Sequence, residues 1–280
     1  MSSNGEAVVL ENVSKTFQSK DGSSVRALDA LSLRIRDGEF ISFLGPSGCG
    51  KSTALRIIDG VEHADPGGHV VVQGEPVAGP GFDRARVFQT FALLPWKTVR
   101  ENVELGLLFQ GVAADERRRR SLHYLELLGL GGFATKYPPE LSGGMRQRVG
   151  LARALAMEAS VLLADEPFAS VDALTRENLQ AEILRIWELT RRTLVFVTHS
   201  IEEAIVLSDR IVVFSPRPGR ICLDLEVALP RPRTHAHELP EFAALRKQIW
   251  DTFVEMGVLT TSGGGAAAVP AGVATGNGAA

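Results

Sequence analysis

Only two cysteines occur in 280 residues, Cys49 and Cys222, and they stand in unrelated contexts. That excludes a disulfide scaffold and fits a reducing compartment. Six histidines show no metal-ligand spacing, and the closest pair, His235 and His237, lies in a proline- and arginine-rich stretch, so no histidine metal site is expected. The net charge of −3 lacks the basic excess of a general nucleic-acid binder, and no nucleic-acid partner is expected. The one basic cluster, Arg117–Arg120, sits in "ADERRRRSLHYLELLGL", which reads as an amphipathic helix with a solvated arginine face. Long hydrophobic runs are missing too. The longest, such as "TLVFV" and "RIVVF", are of strand length and far from the roughly 18 apolar residues of a membrane span. The N-terminus has no basic region followed by an apolar stretch, so no secretory signal is expected and the chain reads as soluble by itself.

What is present is an alternation of strands and helices. Strand-like runs are "AVVLENV", "LSLRI", "EFISFLG", "HVVVQG", "ARVFQ", "SVLLADE", "TLVFVTH" and "RIVVFS". Several are apolar on both faces, which predicts an α/β fold with a parallel sheet covered by helices on both sides. The early strands, residues 6 to 36, are joined by short turns and read as antiparallel. Mostly helical sequence fills roughly residues 98 to 134. A proline-punctuated connector, "LPRPRTHAHELP", leads to a helix at about 241–256, and the end, "TSGGGAAAVPAGVATGNGAA", is low-complexity Gly/Ala sequence for which disorder is expected.

"GPSGCGKST", residues 45 to 53, fits G-x-x-x-x-G-K-[ST], follows the apolar strand "EFISFL" and opens the helix "STALRIID". That is the context a phosphate-binding loop requires. Gly45 and Gly50 permit the tight loop around Pro46, Ser47 and Cys49, and backbone N–H groups from about Gly48 to Thr53 point at phosphates. Lys51 reaches the β and γ phosphates of a nucleotide, and the Ser52 hydroxyl is a magnesium ligand. "VLLADEP" ends a second apolar strand in Asp165 and Glu166, delivering two carboxylates to the edge where ligands bind in such sheets. Asp165 orients Mg²⁺, and Glu166 polarises a water for attack on the γ-phosphate. "TLVFVTHS" ends a third strand in His199. A histidine there can be purely structural; beside the other two strand ends it reads as a γ-phosphate contact. Gln89, at the end of "RARVFQ", can bond Mg²⁺ or the attacking water. A second anion grip lies at "ELSGGMRQRV", residues 140 to 149, where a serine and two glycines precede an arginine-rich helix.

In this order the motifs resemble the nucleotide-binding subunit of an ATP-binding-cassette (ABC) transporter, over about residues 6 to 230. The match runs through Walker A at 45–53, Gln89 as the Q-loop residue, "LSGGMRQR" as signature, "VLLADE" as Walker B, "SVD" at 170–172 as D-loop and His199 as switch histidine. The resemblance implies a P-loop ABC ATPase fold: a mixed, mainly parallel core, an antiparallel β subdomain and a helical signature subdomain. It implies an ATPase domain over 6–240 with the helical part at about 90–160, a C-terminal helical segment over 241–261 and the tail over 262–280. ATP and Mg²⁺ are the implied cofactors. Phe17 is placed to stack on adenine, with packing in a local cluster as its rival role, and Asp172 lies at the nucleotide interface. Two copies pair head to tail, and Ser142, Gly143 and Gly144 of each bind the γ-phosphate held by the other. The D-loop departs from the commoner "ALD", and "MEAS" replaces a frequent "NP" turn before Walker B; neither touches a catalytic position.

"VFQTFALLPWKTVRENVELGL" and "VTHSIEEAIVLSDRIVVFSPRPGRI" resemble the nitrate/sulfonate/taurine import branch. That branch implies a peripheral subunit on the cytoplasmic face of the cell membrane, energising uptake of a small anionic solute through permease subunits and, through them, serving a solute-binding protein. The alternatives are import of an aromatic acid or pyrimidine, or a soluble regulatory ABC ATPase. Trp96 either packs locally or forms a wall of the groove that receives the permease.

Overall fold

In β3 (Phe40–Leu44) every residue is buried, as is every residue of β8 (Thr193–Thr198). A strand apolar on both faces belongs in the middle of a parallel sheet covered on both sides. In the computed structural model, which describes residues 5–87, 92–169, 172–233 and 235–259, that is where they lie. The main sheet has six strands in the order β10 (Ile221–Glu226), β9 (Arg210–Phe214), β3, β8, β7 (Val161–Asp165), β6 (Arg84–Val87). All neighbours are parallel except β10 against β9. A second, antiparallel sheet runs β2 (Ser24–Arg36), β1 (Glu6–Gln18), β4 (His69–Val72), β5 (Glu75–Pro76).

Alternation along the strands divides the core into two layers. Phe40, Leu162, Ala164, Leu194 and Phe196 face a helical cluster, while Ile41, Phe43, Leu163, Val195 and Val197 face α1 (Lys51–Asp59) and the antiparallel sheet. Successive strand side chains point to opposite faces, so one sequence serves both layers. The helical side is built from α2 (Val99–Phe109), α3 (Ala114–Leu127), α4 (Gly143–Ala156) and α5 (Ala173–Thr190). Thr98 and Glu101 form a reciprocal capping box at the start of α2. Fully buried Asn102 accepts from the Leu94 N–H at 2.8 Å and donates to the carbonyls of Leu94, Lys97 and Thr98. These bonds fix the turn that carries Trp96, which stands 71% exposed; local packing therefore does not account for that residue. On α3, Arg119 and Arg120 pair with Glu116, and Arg120 also reaches Glu158.

The stretch after residue 229 is more than a connector. Buried Arg233 donates to the carbonyls of Ile205, Val206 and Ser208 at the end of α6 (Ile201–Leu207), and to those of Val227 and Leu229. A guanidinium suits the negative end of a helix. α7 (Pro240–Glu255) then lays Phe242, Ile249 and Phe253 against Ile201, Ile205, Ile211 and Val213. Arg233→Leu leaves several buried carbonyls unsatisfied and is expected to destabilise the fold by about 3 kcal/mol or more, read from urea unfolding; a loss below about 1 kcal/mol contradicts the anchoring role. Two strands go beyond the sequence expectation. β10, "ICLDLE", alternates half-buried with exposed residues as an edge strand does, and β5 is only two residues long. No helix among the described residues is long and apolar enough to cross a membrane.

Candidate active site

Three parallel strands end side by side: β3 at Leu44, β8 at Thr198 and β7 at Asp165. Each releases a loop at the same edge of the sheet, the edge where α/β folds bind ligands. After β3 the chain makes the phosphate loop. Gly50, at the cap of α1, has φ 110°, and a Cβ there would lie 2.7 Å from the Ala27 carbonyl oxygen. Only glycine combines that conformation with that approach. Cys49 is buried beneath the loop, so its backbone and not its thiol is available to a ligand. Lys51 is 4% exposed, and its Nζ donates to the Gly45 and Pro46 carbonyls at 2.7 and 2.9 Å.

The Ser52 hydroxyl donates to Asp165 Oδ1 at 2.8 Å. A hydroxyl beside a carboxylate at the mouth of a phosphate loop is a hard-oxygen donor set, which fits a magnesium ion arriving with phosphates. Asp165 Oδ2 accepts from Arg86 on β6 at 2.6 Å. Glu166 follows with φ 44°, a strained backbone for a residue other than glycine, and its N–H donates to the Val197 carbonyl at 3.1 Å. This turn sends the carboxylate toward β8, where His199 Nδ1 is 3.4 Å from Glu166 Oε2. His199 sits between the end of β8 and α6, whose cap Ser200 accepts from the Glu203 N–H at 3.2 Å.

The two side chains shift each other's titration. The hydrogen bond from His199, reinforced by its charge, holds the Glu166 carboxyl below the usual carboxylate range. The same hydrogen bond raises the His199 imidazole above its usual 6.5. The signs follow from linkage. The histidine's contribution to stability is complete below its ordinary value and is lost as pH rises through the raised folded-state value. The glutamate's is present above its ordinary value and is lost as pH falls through the lowered one. In a proton NMR titration His199 is expected to titrate above 6.5 and to fall back in Glu166→Gln. An unchanged midpoint in that variant contradicts the pairing.

A cleft of about 300 Å³ opens over the loop, within the range of ligand pockets, and is walled by Phe17, Val25, Ala27, Lys51, Glu166 and Arg217 among others. Ser47, Gly48, Gly50, Ser52 and Thr53 also face it. Phe17 stands at its apolar wall, with Lys15 Nζ 5.2 Å from the ring centroid. Arg217 was not foreseen from the sequence; its Nη2 donates to the Gly48 carbonyl at 3.1 Å.

The serine–glycine stretch lies elsewhere. Ser142 is exposed and caps α4 by accepting from the Met145 N–H at 3.3 Å, with Gly143 and Gly144 in the first turn. Gln147 of α4 donates to the Pro167 carbonyl. A Cβ on Gly144 would lie 3.0 Å from Thr175 of α5, whose cap Asp172 accepts from the Thr175 N–H at 3.0 Å. The first turn of α4 thus lies beside the start of α5 at Gly144, Gln147 reaches the loop after Glu166, and none of Ser142, Gly143 and Gly144 is among the residues that line the cleft over Lys51. Gln89, Ser170, Val171 and the tail from residue 262 lie outside the described residues.

Residues 28–169 match the family described as "ABC transporter". An ATP-binding protein of Brucella abortus is 51% identical over 225 residues, spanning 80% of this chain and 86% of that one. The taurine import ATP-binding protein TauB of Rhizobium johnstonii is 45% identical over 246 residues, spanning 86% of this chain and 94% of TauB. The bicarbonate transport ATP-binding protein CmpC of Synechocystis is 44% identical over 86% of this chain and 37% of its own length. Among solved structures, a dimeric ATP-binding cassette in a post-hydrolysis state, bound to ADP and Pi, is 35% identical with a TM-score of 0.69, covering 80% of this chain and all of that one. On this family match and these relatives, the chain belongs to the ABC transporter family, as one of its ATP-binding, ATP-hydrolysing subunits.

Proposed function

We propose that this ATPase energises the import of a small anionic solute of the nitrate, alkanesulfonate or taurine type through a partner permease. The observation that carries the catalytic part is the convergence of Lys51, Ser52, Asp165, Glu166 and His199 on three adjacent strand ends. In this reading the phosphates of ATP seat on the backbone N–H groups of residues 48–53 with Lys51 against the β and γ groups, and adenine stacks on Phe17. Ser52, Asp165 and Gln89 hold the magnesium ion, which neutralises phosphate charge when bound. Glu166, kept ionised by His199, accepts the proton of the attacking water, and His199 holds the γ-phosphate. Ser142, Gly143 and Gly144 of a second copy close the site, with Asp172 at the shared interface. The dimer of the solved cassette supports that pairing. Exposed Trp96 supplies an aromatic anchor of the kind interfaces favour, and suits the face that receives the permease at the membrane's cytoplasmic side.

The solute class rests on the relatives named for taurine import and bicarbonate transport. The test is reconstitution of the chain with its permease in liposomes, followed by ATPase assays with binding protein loaded with taurine, an alkanesulfonate, nitrate or an aromatic acid. Stimulation by one of the first three is the expected result. Stimulation by the aromatic acid alone assigns the importer to another solute, and ATPase insensitive to the permease contradicts the transport role.

A further inference from the structure

Arg86 belongs to none of the motifs, yet it is bonded directly to the Walker B aspartate. It lies on β6, opposite Leu163 in the parallel register and three residues before Gln89. Its side chain is 10% exposed; Nη2 is 2.6 Å from Asp165 Oδ2, and Nη1 is 3.6 Å from Asp59 Oδ2 at the last residue of α1. The other oxygen of Asp165 accepts from Ser52 at 2.8 Å. One guanidinium therefore joins the far end of the P-loop helix, the carboxylate strand and the strand that leads to Gln89. Arginine's planar fork can hold two carboxylates in fixed directions, where a lysine supplies only a point charge.

We propose that Arg86 is a positioning residue that turns Asp165 toward Ser52 and shares its carboxylate with the divalent cation, so that it sets how tightly the ATP-loaded site takes the metal. This rests on the assignment of Asp165 to the metal side of the site. Two consequences follow. Charge competition means that removing the guanidinium strengthens cation binding. Because the P-loop and Lys51 hold the phosphates independently, ATP binding without metal is unaffected.

The test uses the full chain in excess over a non-hydrolysable ATP analogue, with Mn²⁺ as the probe cation followed by loss of its free-ion EPR signal. Loss of one positive charge beside a divalent ion is worth roughly tenfold in affinity. Arg86→Met is expected to lower the half-saturating Mn²⁺ by about that factor. Arg86→Lys, which keeps a positive charge but not the two-armed fork, is expected to fall between the parent and Arg86→Met. Equilibrium dialysis without metal is expected to give the same analogue affinity for all three. If Arg86→Met does not fold, because two half-buried carboxylates have lost the guanidinium between them, Arg86→Met with Asp59→Asn removes one of those charges and carries the same expectation of tighter Mn²⁺. Asp165→Asn separates this proposal from the assignment it rests on, and is expected to raise half-saturation at least about tenfold. If Asp165→Asn leaves the titration unchanged, the assignment of Asp165 fails and the proposal with it. If Asp165→Asn weakens Mn²⁺ but Arg86→Met leaves half-saturation unchanged or raises it, the role of Arg86 alone is overturned. Behaviour of Arg86→Lys equal to that of Arg86→Met also overturns it, since the shared charge is then not what matters.

Discussion

Glu166→Gln is expected to bind ATP with near-parental affinity and to hydrolyse it at least about a hundredfold more slowly, the loss that follows if Glu166 is the positioned general base. The substitution is isosteric, and the strained backbone at φ 44° and the N–H bond to the Val197 carbonyl are independent of side-chain charge, so the fold persists. In the proposed site Lys51, Ser52 and the loop backbone still hold the phosphates, while position 166 no longer offers a carboxylate to take the proton from water. On the proposed pairing, ATP that binds and is not split is expected to keep two copies together. Gel filtration with ATP and Mg²⁺ therefore shows a larger species for Glu166→Gln than for the parent, and the shift disappears without nucleotide. Parental turnover by this variant removes Glu166 from the role of base, and slow turnover without a larger species removes the link between unsplit ATP and pairing.

Lys51, Ser52, Asp165, Glu166 and His199 were legible in the sequence because each follows an apolar strand at fixed spacing, and strand ends in a parallel sheet share one edge. The central, two-sided burial of β3 and β8 was legible from their mostly apolar runs, and every residue of both strands is buried; that the antiparallel sheet shares one face with α1 was not. Where the physics is non-local, the sequence was silent. Arg86 reads as an ordinary polar residue in a short strand, and only the fold brings Asp165 and Asp59 to it. Arg217 meets Gly48 across 169 residues, and no spacing rule spans that distance. Arg233 sits in a proline-rich run that looks like a connector, and its burial depends on carbonyls of α6. β10 escaped because "ICLDLE" leaves one face to water, so it lacks the continuous apolar run that marks the central strands.

Lys51→Ala is expected to cost the most of any single change, at least two to three orders of magnitude in hydrolysis. It removes the one side-chain cation named for the β and γ phosphates. It also removes the bonds to the Gly45 and Pro46 carbonyls that brace the loop. Dialysis with labelled ATP should show weakened binding, in contrast to Glu166→Gln, which binds and stalls. Undiminished ATPase in Lys51→Ala takes this lysine out of the site.

Ser142 is not among the residues lining the Lys51 cleft, and in the proposed dimer a second copy bridges that separation. Ser142→Arg blocks the cap with a bulky side chain, while Lys51→Ala disables the cradle. Each homodimer then carries two singly damaged sites. A heterodimer of the two variants joins an intact cradle from one chain to an intact cap from the other and concentrates both lesions in its second site. Mixing the two inactive variants, with heterodimers verified by cross-linking and with ATP-dependent pairing scored beside phosphate release, is the measurement. Recovery of ATP-dependent pairing, with partial hydrolysis from the whole composite site, is the predicted result. Cross-linked heterodimers that recover neither contradict the assignment of Ser142, Gly143 and Gly144 to the partner's nucleotide.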